Sequence, residues 1–220
     1  MESAARFAEL VNRPAAASHL DLMAALIGTA FEPDHDPMEV VLGLDRLAEE
    51  CAADFGSIMS TVFGSGRLVG NRSDYGDPRN SYLHRVLERG LGIPITLSVC
   101  AMEIGRRKGV EVRGVGLPGH FVVACGDRFA DPFDGGRIVA ADELEDLWRR
   151  ATGLRDPFDE RLLQPAHPRM VLLRMLNNLK QTLVALDDPA QLAILARLRS
   201  AFPELEAERA EYARWLRHWN

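Results

Sequence analysis

The sequence predicts an α+β fold, with N-terminal helices, a central helix and then a run of consecutive antiparallel strands. Residues 21–31 and 37–63 place apolar side chains at helical spacing. Residues 94–108 form a further helical segment, which begins with a proline and is followed by a glycine. Alternating apolar residues then recur between residues 110 and 140. Because helices and strands are segregated along the chain, an antiparallel sheet is favoured over a doubly wound parallel one.

A long polar loop precedes the central helix. The stretch GSGRLVGNRSDYGDPRNS, residues 64–81, is rich in Gly, Asn, Asp and Ser, and is predicted to be mostly loop. Loops of this length in compact domains tend to be functional or mobile. A short helix at residues 82–88, with Asn80 or Ser81 available as its cap, connects the loop to the central helix.

The stretch LPGHFVVACGDRFADPF, residues 117–133, is predicted to be a β-hairpin. The Gly-Asp pair at residues 126–127 supplies the turn, because glycine accepts the positive φ that two-residue hairpin turns require. This register places Cys125 opposite Arg128. The neighbouring elements follow from the same patterns: strands at residues 110–116 and 137–140, and a helix at residues 141–148.

His120 and Asp131 lie on the two arms of this hairpin. Since side chains alternate between the two faces of a strand, His120 shares a face with Val122 and is the diagonal neighbour of Asp131, roughly 5 to 8 Å away. A carboxylate at that position can hold the imidazole in one tautomer, as in nucleophile-His-acid systems. The alternative is a histidine at a strand end beside a turn-forming Asp131-Pro132. Spacing alone leaves both interpretations open.

Composition excludes several classes of function. The formal net charge of −6 argues against a nucleic-acid-binding surface. Three cysteines without CxxC spacing and six histidines without HExxH spacing give no indication of disulfides, a metal site or a cofactor. No apolar run is long enough for a signal core or a membrane span. We therefore expect a cytoplasmic protein that binds neither nucleic acid nor membrane.

The chain is predicted to divide near residue 156. A proline-containing linker at residues 157–168 is followed by three amphipathic helical segments, at residues 169–186, 190–201 and 204–219. The prediction is a core with N-terminal helices at residues 1–156 and a C-terminal helical extension at residues 157–220. No second copy of the helical unit is visible, so a repeat array is not expected.

Three segments occur in order: GNRSDYGDPRNSYLHRVLERGLGIPITLSV, EIGRRKGVEVRGVGLPGHFVV and DPFDGG. Over roughly residues 20–185 the chain resembles the transglutaminase-like core of SirB-type bacterial proteins. The resemblance implies a papain/transglutaminase-like core, in which a central helix carries the nucleophile at its amino end and packs against strands that carry His and Asp. It also implies a tetratricopeptide-like helical tail. On this resemblance, His120 and Asp131 match the superfamily's His and Asp.

The nucleophile position departs from that pattern. In typical members a Gly-x-Cys opens the central helix, and here the same place is Gly92-Ile93-Pro94. Ser98 lies one turn from Pro94, about 40° around the helix, and Thr96 lies in the first turn, where helix amides favour an anion. Both hydroxyls are therefore candidate nucleophiles, although Ser and Thr at such positions more commonly cap or pack a helix start.

The cysteines do not supply an obvious replacement. Cys100 lies about 120° around the helix from Pro94, and its apolar neighbours predict a buried thiol with a raised pKa. Cys125, beside the hairpin turn, is expected to be partly exposed and remote from the helix start. Glu103 in the same helix either faces solvent or is the buried partner of an arginine such as Arg113, and the sequence does not decide between these.

The long loop and the residue after it supply the candidate lining of a cleft. An Asn amide there could stabilise an oxyanion in acyl transfer. Equally, Asn, Asp and Tyr side chains could satisfy the loop's own backbone. The candidates are Asn71, Arg72, Tyr75, Asn80 and Tyr82.

Two functions are consistent with the sequence. One is a transglutaminase-like protein that lacks the usual Cys nucleophile and binds a protein or peptide partner without turnover. The other is an acyl-transfer enzyme, a hydrolase or an amide-forming transferase, in which His120 is the general base and Asp131 orients it. The sequence gives no indication of substrate or oligomeric state.

Overall fold

The computed structural model describes residues 2–13, 19–154 and 157–208. Within these ranges it has an α+β architecture, as the sequence predicts. None of the helices in the described ranges is both long enough and apolar enough to cross a lipid bilayer. The α-helices are α1 (Glu2–Val11), α2 (Leu20–Phe31), α3 (Pro37–Glu49), α4 (Phe55–Ile58), α5 (Leu83–Arg89), α6 (Pro94–Lys108), α7 (Ala141–Thr152), α8 (Pro168–Ala185) and α9 (Pro189–Arg199).

The helices α2, α3 and α4 pack around one side of α6, and α1 packs against α2. The sequence pattern did not predict α1, and the continuous segment predicted at residues 37–63 is interrupted. It forms α3, α4 and a π-helical turn, Met59–Gly64. The second part begins at Asp54, whose side chain accepts a hydrogen bond from the Ser57 amide at 2.8 Å and so caps a new helix start.

A four-stranded antiparallel sheet covers another side of α6. Its strands are β3 (Arg113–Val115), β4 (Val122–Cys125), β5 (Arg128–Asp131) and β6 (Arg137–Val139), in that spatial order. Cys125 is opposite Arg128, which confirms the predicted hairpin register. Gly126 has a φ of 63°, the positive value that the turn requires. The loop predicted at residues 64–81 contains a strand that the sequence did not indicate, β1 (Val69–Gly70), which pairs in parallel with β2 (Leu91–Gly92).

The central helix α6 has the predicted bounds. Pro94 occupies its first turn, and Gly109 ends it in the left-handed conformation with a φ of 70°. Glu103 is buried at 3% exposure and accepts hydrogen bonds from Arg106 and Arg107 at 2.8 and 2.9 Å. The open question about Glu103 is therefore answered: it is a buried partner of arginines on its own helix, not of Arg113.

The C-terminal helices share the core of the preceding elements. Leu172, Leu176 and Leu179 of α8 lie in the same apolar cluster as Phe7 and Leu20. The linker contains a 3₁₀ turn, Glu160–Leu163, and Pro165 bridges to Val115 at the edge of the sheet. The predicted third segment at residues 204–219 begins as a 3₁₀ turn, Pro203–Glu208, and otherwise lies outside the described residues. The division of the chain at residue 156 stays a prediction.

Candidate functional site

The structure brings His120 and Asp131 into direct contact. His120 Nε2 lies 2.7 Å from Asp131 Oδ2, and the two side chains are only 14% and 4% exposed. A neutral imidazole bonded in this way carries its proton on Nε2 and donates it to the carboxylate. The other ring nitrogen, Nδ1, has no hydrogen-bond partner within the described part of the chain. It is therefore the nitrogen available to a ligand.

The local sequence fixes both members of this pair. Asp131 Oδ1 accepts hydrogen bonds from the amides of Phe133 and Asp134 at 2.9 and 3.3 Å, because Asp131 caps the 3₁₀ turn that follows it. His120 enters its strand through a turn in which Gly119 has a φ of 76° and the His120 amide donates to Leu117 O at 3.1 Å. Both ends of the His-Asp contact are thus held by backbone hydrogen bonds.

A cavity of about 770 Å³ lies beside His120. Its first wall is the amino end of α6, with Pro94 and Ile95, and its second wall is the turn before β4. Tyr75 of the long loop also lines it. The opposite wall is one face of α8, which contributes Arg174, Asn177, Asn178, Gln181, Thr182 and Ala185.

The predicted hydroxyl nucleophiles do not reach this cavity. Thr96 is fully buried, and its Oγ1 donates to Asn80 O at 2.8 Å and accepts from the Ile93 amide at 3.1 Å. It holds the start of α6 in place, which is the structural role weighed for it. Ser98 is also fully buried, and its Oγ has no hydrogen-bond partner in the described chain. Neither side chain lines the cavity beside His120.

The cysteines agree with the sequence-based expectations. Cys100 is fully buried, and burial raises its pKa to about 12, so a thiolate is strongly disfavoured there. Cys125 is partly exposed, as predicted. Cys51 is buried, and burial raises the pKa of its thiol as well. Pro94 therefore stands at the helix start with no thiol from these cysteines among the residues that line the cavity.

The two asparagines predicted to line a cleft instead stabilise the loop. Asn71 Nδ2 donates to Asn80 Oδ1 at 3.0 Å, and Asn71 Oδ1 accepts from the Asp74 amide at 3.0 Å. Asn80 Nδ2 donates to Asp74 O at 2.7 Å. Both asparagines are buried and do not line the cavity beside His120. Of the two open interpretations, this geometry supports satisfaction of the loop's own backbone.

The other predicted cleft residues are separated by the fold. Arg72 is exposed, forms an ion pair with Asp134 at 2.8 Å and lies outside the cavity. Tyr82 is buried away from the cavity and donates its hydroxyl to Gln191 at 3.0 Å. Tyr75 is the predicted cleft residue that does line the cavity, and its role in binding stays a prediction.

The polar face of α8 is the feature that sequence reasoning missed. Its residues recur at the spacing of a single helix face within a helix that is otherwise mostly apolar. Such a stripe is usually solvent-facing, and here it forms a wall of the cavity. The residues are Arg174, Asn177, Asn178, Gln181 and Thr182.

A second cluster has the chemistry of a metal ligand set. The ligand atoms of Glu32, His35 and His84 lie within 4.8 Å of one another. Glu32 already accepts hydrogen bonds from His84 at 2.8 Å and Arg85 at 2.7 Å. Burial lowers the pKa of His84, and its hydrogen bond to Glu32 opposes that effect. These contacts satisfy the Glu32 carboxylate without an ion.

Comparison with known proteins identifies the family. The family model described as the transglutaminase-like superfamily matches residues 15–177. A UPF0162 protein of Xylella fastidiosa (strain Temecula1) is 46% identical over 117 residues, which cover 50% of this chain and 42% of that protein. A UPF0162 protein of Pseudomonas aeruginosa is 29% identical over 180 residues, which cover 77% of this chain and 64% of that protein.

A shorter similarity extends to animals. Mouse F-box only protein 21 is 43% identical over 67 residues, which cover 30% of this chain and 11% of that protein. No solved structure matches the chain. The match to the Xylella protein spans less than half of that protein's length. The family model covers most of the chain and confirms the sequence-based resemblance, and the chain therefore belongs to the transglutaminase-like superfamily.

Proposed function

We propose that this transglutaminase-like protein binds a peptide or protein segment in the cavity beside His120 without forming a covalent intermediate. The observation that carries the proposal is the start of α6. Pro94 occupies the position where a thiol is expected, and none of the cysteines lines the cavity. Covalent catalysis by a thiol needs an accessible thiolate, and Cys100 is fully buried with its pKa raised by burial to about 12.

The cavity has the mixed character of a site for an extended chain. Pro94, Ile95 and Phe121 supply apolar surface, while Asn178 and Gln181 of α8 supply amide donors and acceptors. Peptide main chains need both, because their amide groups lose water on binding and must be paired again. A volume of about 770 Å³ can accommodate a few residues.

A cavity-filling substitution tests this proposal. Thr182 lines the cavity, so Thr182→Trp should occupy part of its volume and weaken binding of retained peptides by at least about tenfold. Val184 is on the same helix, is 49% exposed and does not line the cavity, so Val184→Trp is the matched control. Retention of short random peptides on each immobilised variant, followed by mass spectrometry, measures the peptide binding of the two variants. Equal binding by the two variants would contradict the proposed location.

A second function is favoured by one observation: the 2.7 Å contact engages His120 Nε2, and Nδ1 has no hydrogen-bond partner among the residues that the structure describes. This is the geometry of an oriented general base, and base catalysis alone contributes about 10²- to 10⁴-fold. The chain would then transfer or hydrolyse an acyl group by activating water or an amine directly. Turnover of peptide esters or amides that is lost in His120→Ala, but kept when all three cysteines are changed to alanine, would replace the binding function with this one.

A further inference from the structure

Arg174 is a partly buried cation that has no anionic partner among the described residues. It projects from α8 and lines the cavity beside His120. Its Nη2 donates to Leu117 O and, at 2.6 Å, to His120 O, both of which are neutral acceptors. Its guanidinium lies 5.3 Å from the centroid of the Phe121 ring. Within the described residues, no carboxylate forms an ion pair with Arg174.

Other arginines of comparable burial are neutralised. Arg107, whose side chain is 10% exposed, pairs with Asp21, Asp45 and Glu103. Arg169, on the same helix as Arg174 and 22% exposed, pairs with Glu204. An unpaired charge that has lost water is costly, so most such groups acquire a counter-charge. The chain has a net charge of −6, and yet no acid of its described part pairs with Arg174, which leaves a place for the anion of a ligand.

The two carbonyl contacts leave donors of Arg174 unused. A guanidinium carries five N–H groups, and the hydrogen bonds to Leu117 and His120 engage only Nη2. The bonded carbonyls fix the position of the guanidinium at the cavity wall. The remaining donors, Nε–H and the two N–H groups of Nη1, stay in the rigid plane of the guanidinium and can each donate a charge-assisted hydrogen bond to a carboxylate oxygen.

We propose that the cavity beside His120 receives a ligand carboxylate, which pairs with the guanidinium of Arg174. This inference rests on the proposed peptide-binding function and specifies its ligand as a peptide with a free carboxyl group. The carboxylate is either the C-terminus of a chain or the side chain of an Asp or Glu residue. Asn178 and Gln181, one and two turns further along α8, lie on the same wall and can pair with the adjoining peptide groups.

The charge balance favours a carboxylate over a phosphate. Among the described residues that line the cavity, Arg174 is the one arginine and there is no lysine. One guanidinium neutralises one carboxylate, whereas a phosphate group carries about −1.5 to −2 charges at neutral pH. A second cation would be expected at a phosphate site.

Four pools of short random peptides test the proposal on the full chain. The first pool has a free C-terminal carboxylate and lacks Asp and Glu. The second has a C-terminal amide and contains Asp and Glu, and the third has the amide and lacks both acids. The fourth resembles the third but contains phosphoserine. Affinity retention followed by mass spectrometry measures the binding of each pool.

We expect the first or second pool to bind at least about tenfold more tightly than the third, because a charge-assisted hydrogen bond to the carboxylate is lost in the third. The better of the two identifies the source of the carboxylate. Arg174→Gln should reduce the binding of that pool to the level of the third pool. Arg174→Lys should retain part of the difference in binding between the two pools. Arg197→Gln is the matched control, because Arg197 is exposed on α9 and does not line the cavity.

The outcomes separate this inference from the function on which it rests. Equal binding of the first three pools by the unmodified chain would overturn the inference alone, as would a preference for the phosphoserine pool. Retention of no peptide would overturn the proposed function and the inference together. If Arg174→Gln fails to fold, as judged by circular dichroism, the comparison of pools on the unmodified chain still decides the question.

Discussion

The contact between His120 and Asp131 makes a quantitative prediction for a double-mutant cycle. The Asp131 carboxylate is 4% exposed and accepts hydrogen bonds from the imidazole and from the amides of Phe133 and Asp134. Hydrogen bonds to charged groups contribute about 1.5 to 3 kcal/mol each to stability. Asp131→Ala leaves all three donors without their acceptor, and because losses in one network are not additive, it should lower the free energy of unfolding by about 3 to 5 kcal/mol, the range that is typical of a broken buried pair.

His120→Ala should cost less, because the carboxylate keeps both amide donors. Loss of the single contact at 2.7 Å lowers the free energy of unfolding by about 1.5 to 3 kcal/mol. The double variant should then be more stable than the sum of the two losses implies, by a coupling energy of about 1.5 kcal/mol or more. Urea unfolding of the four proteins at one pH, followed by circular dichroism, measures each free energy.

A neighbouring ion pair provides the control cycle. Arg72 and Asp134 are 2.8 Å apart, but their side chains are 64% and 44% exposed, so their coupling should be about 0.5 kcal/mol or less. If the His120-Asp131 coupling is no larger than this control, the pair is not a buried, oriented contact. The geometric basis for His120 as an oriented base would then be refuted.

Three further predictions concern other parts of the chain. Pro94→Cys should create a thiol that reacts with iodoacetamide much faster than Cys100, because a helix amino end favours the thiolate; equal rates would contradict this. Burial lowers the pKa of His84 in spite of its bond to Glu32, so the unfolded chain binds more protons than the folded one, and stability should fall as pH drops below about 6.5, by at most about 1.4 kcal/mol per pH unit. Urea unfolding of His84→Gln should show a flatter dependence of stability on pH. An unchanged slope would show that other groups cause the pH dependence. Gly70→Ala should lower the unfolding temperature, because the added Cβ would lie 2.4 Å from a backbone carbonyl oxygen, and an unchanged temperature would show that the strand can shift.

Local signals in the sequence predicted the parts of the fold that depend on backbone geometry. Pro94 and Gly109 mark the two ends of α6 because proline suits the first turn and glycine adopts the left-handed conformation after the last. The Gly-Asp turn set the register of the hairpin, and that register brought His120 close to Asp131. These predictions needed no knowledge of distant contacts.

The walls of the cavity depend on tertiary packing, which local patterns do not encode. The polar stripe of α8 has the same spacing whether it faces solvent or a cavity, so Arg174 could not be distinguished from a surface arginine. Asn71 and Asn80 were open to two interpretations because the same amide groups can bind a ligand or a backbone. The structure places them in a hydrogen-bond network within the loop.

The most direct test of binding without a covalent intermediate is intact-mass spectrometry of the unmodified chain, incubated with a pool of peptide esters and thioesters that includes retained sequences. The proposed function predicts that the peptides bind, that the protein mass stays unchanged and that hydrolysis does not exceed that in buffer. A mass increase corresponding to one acyl group, mapped to Cys100 or Ser98 and absent in His120→Ala, would contradict it. That result would establish that the side chains buried in α6 become accessible and that the chain is an acyl-transfer enzyme.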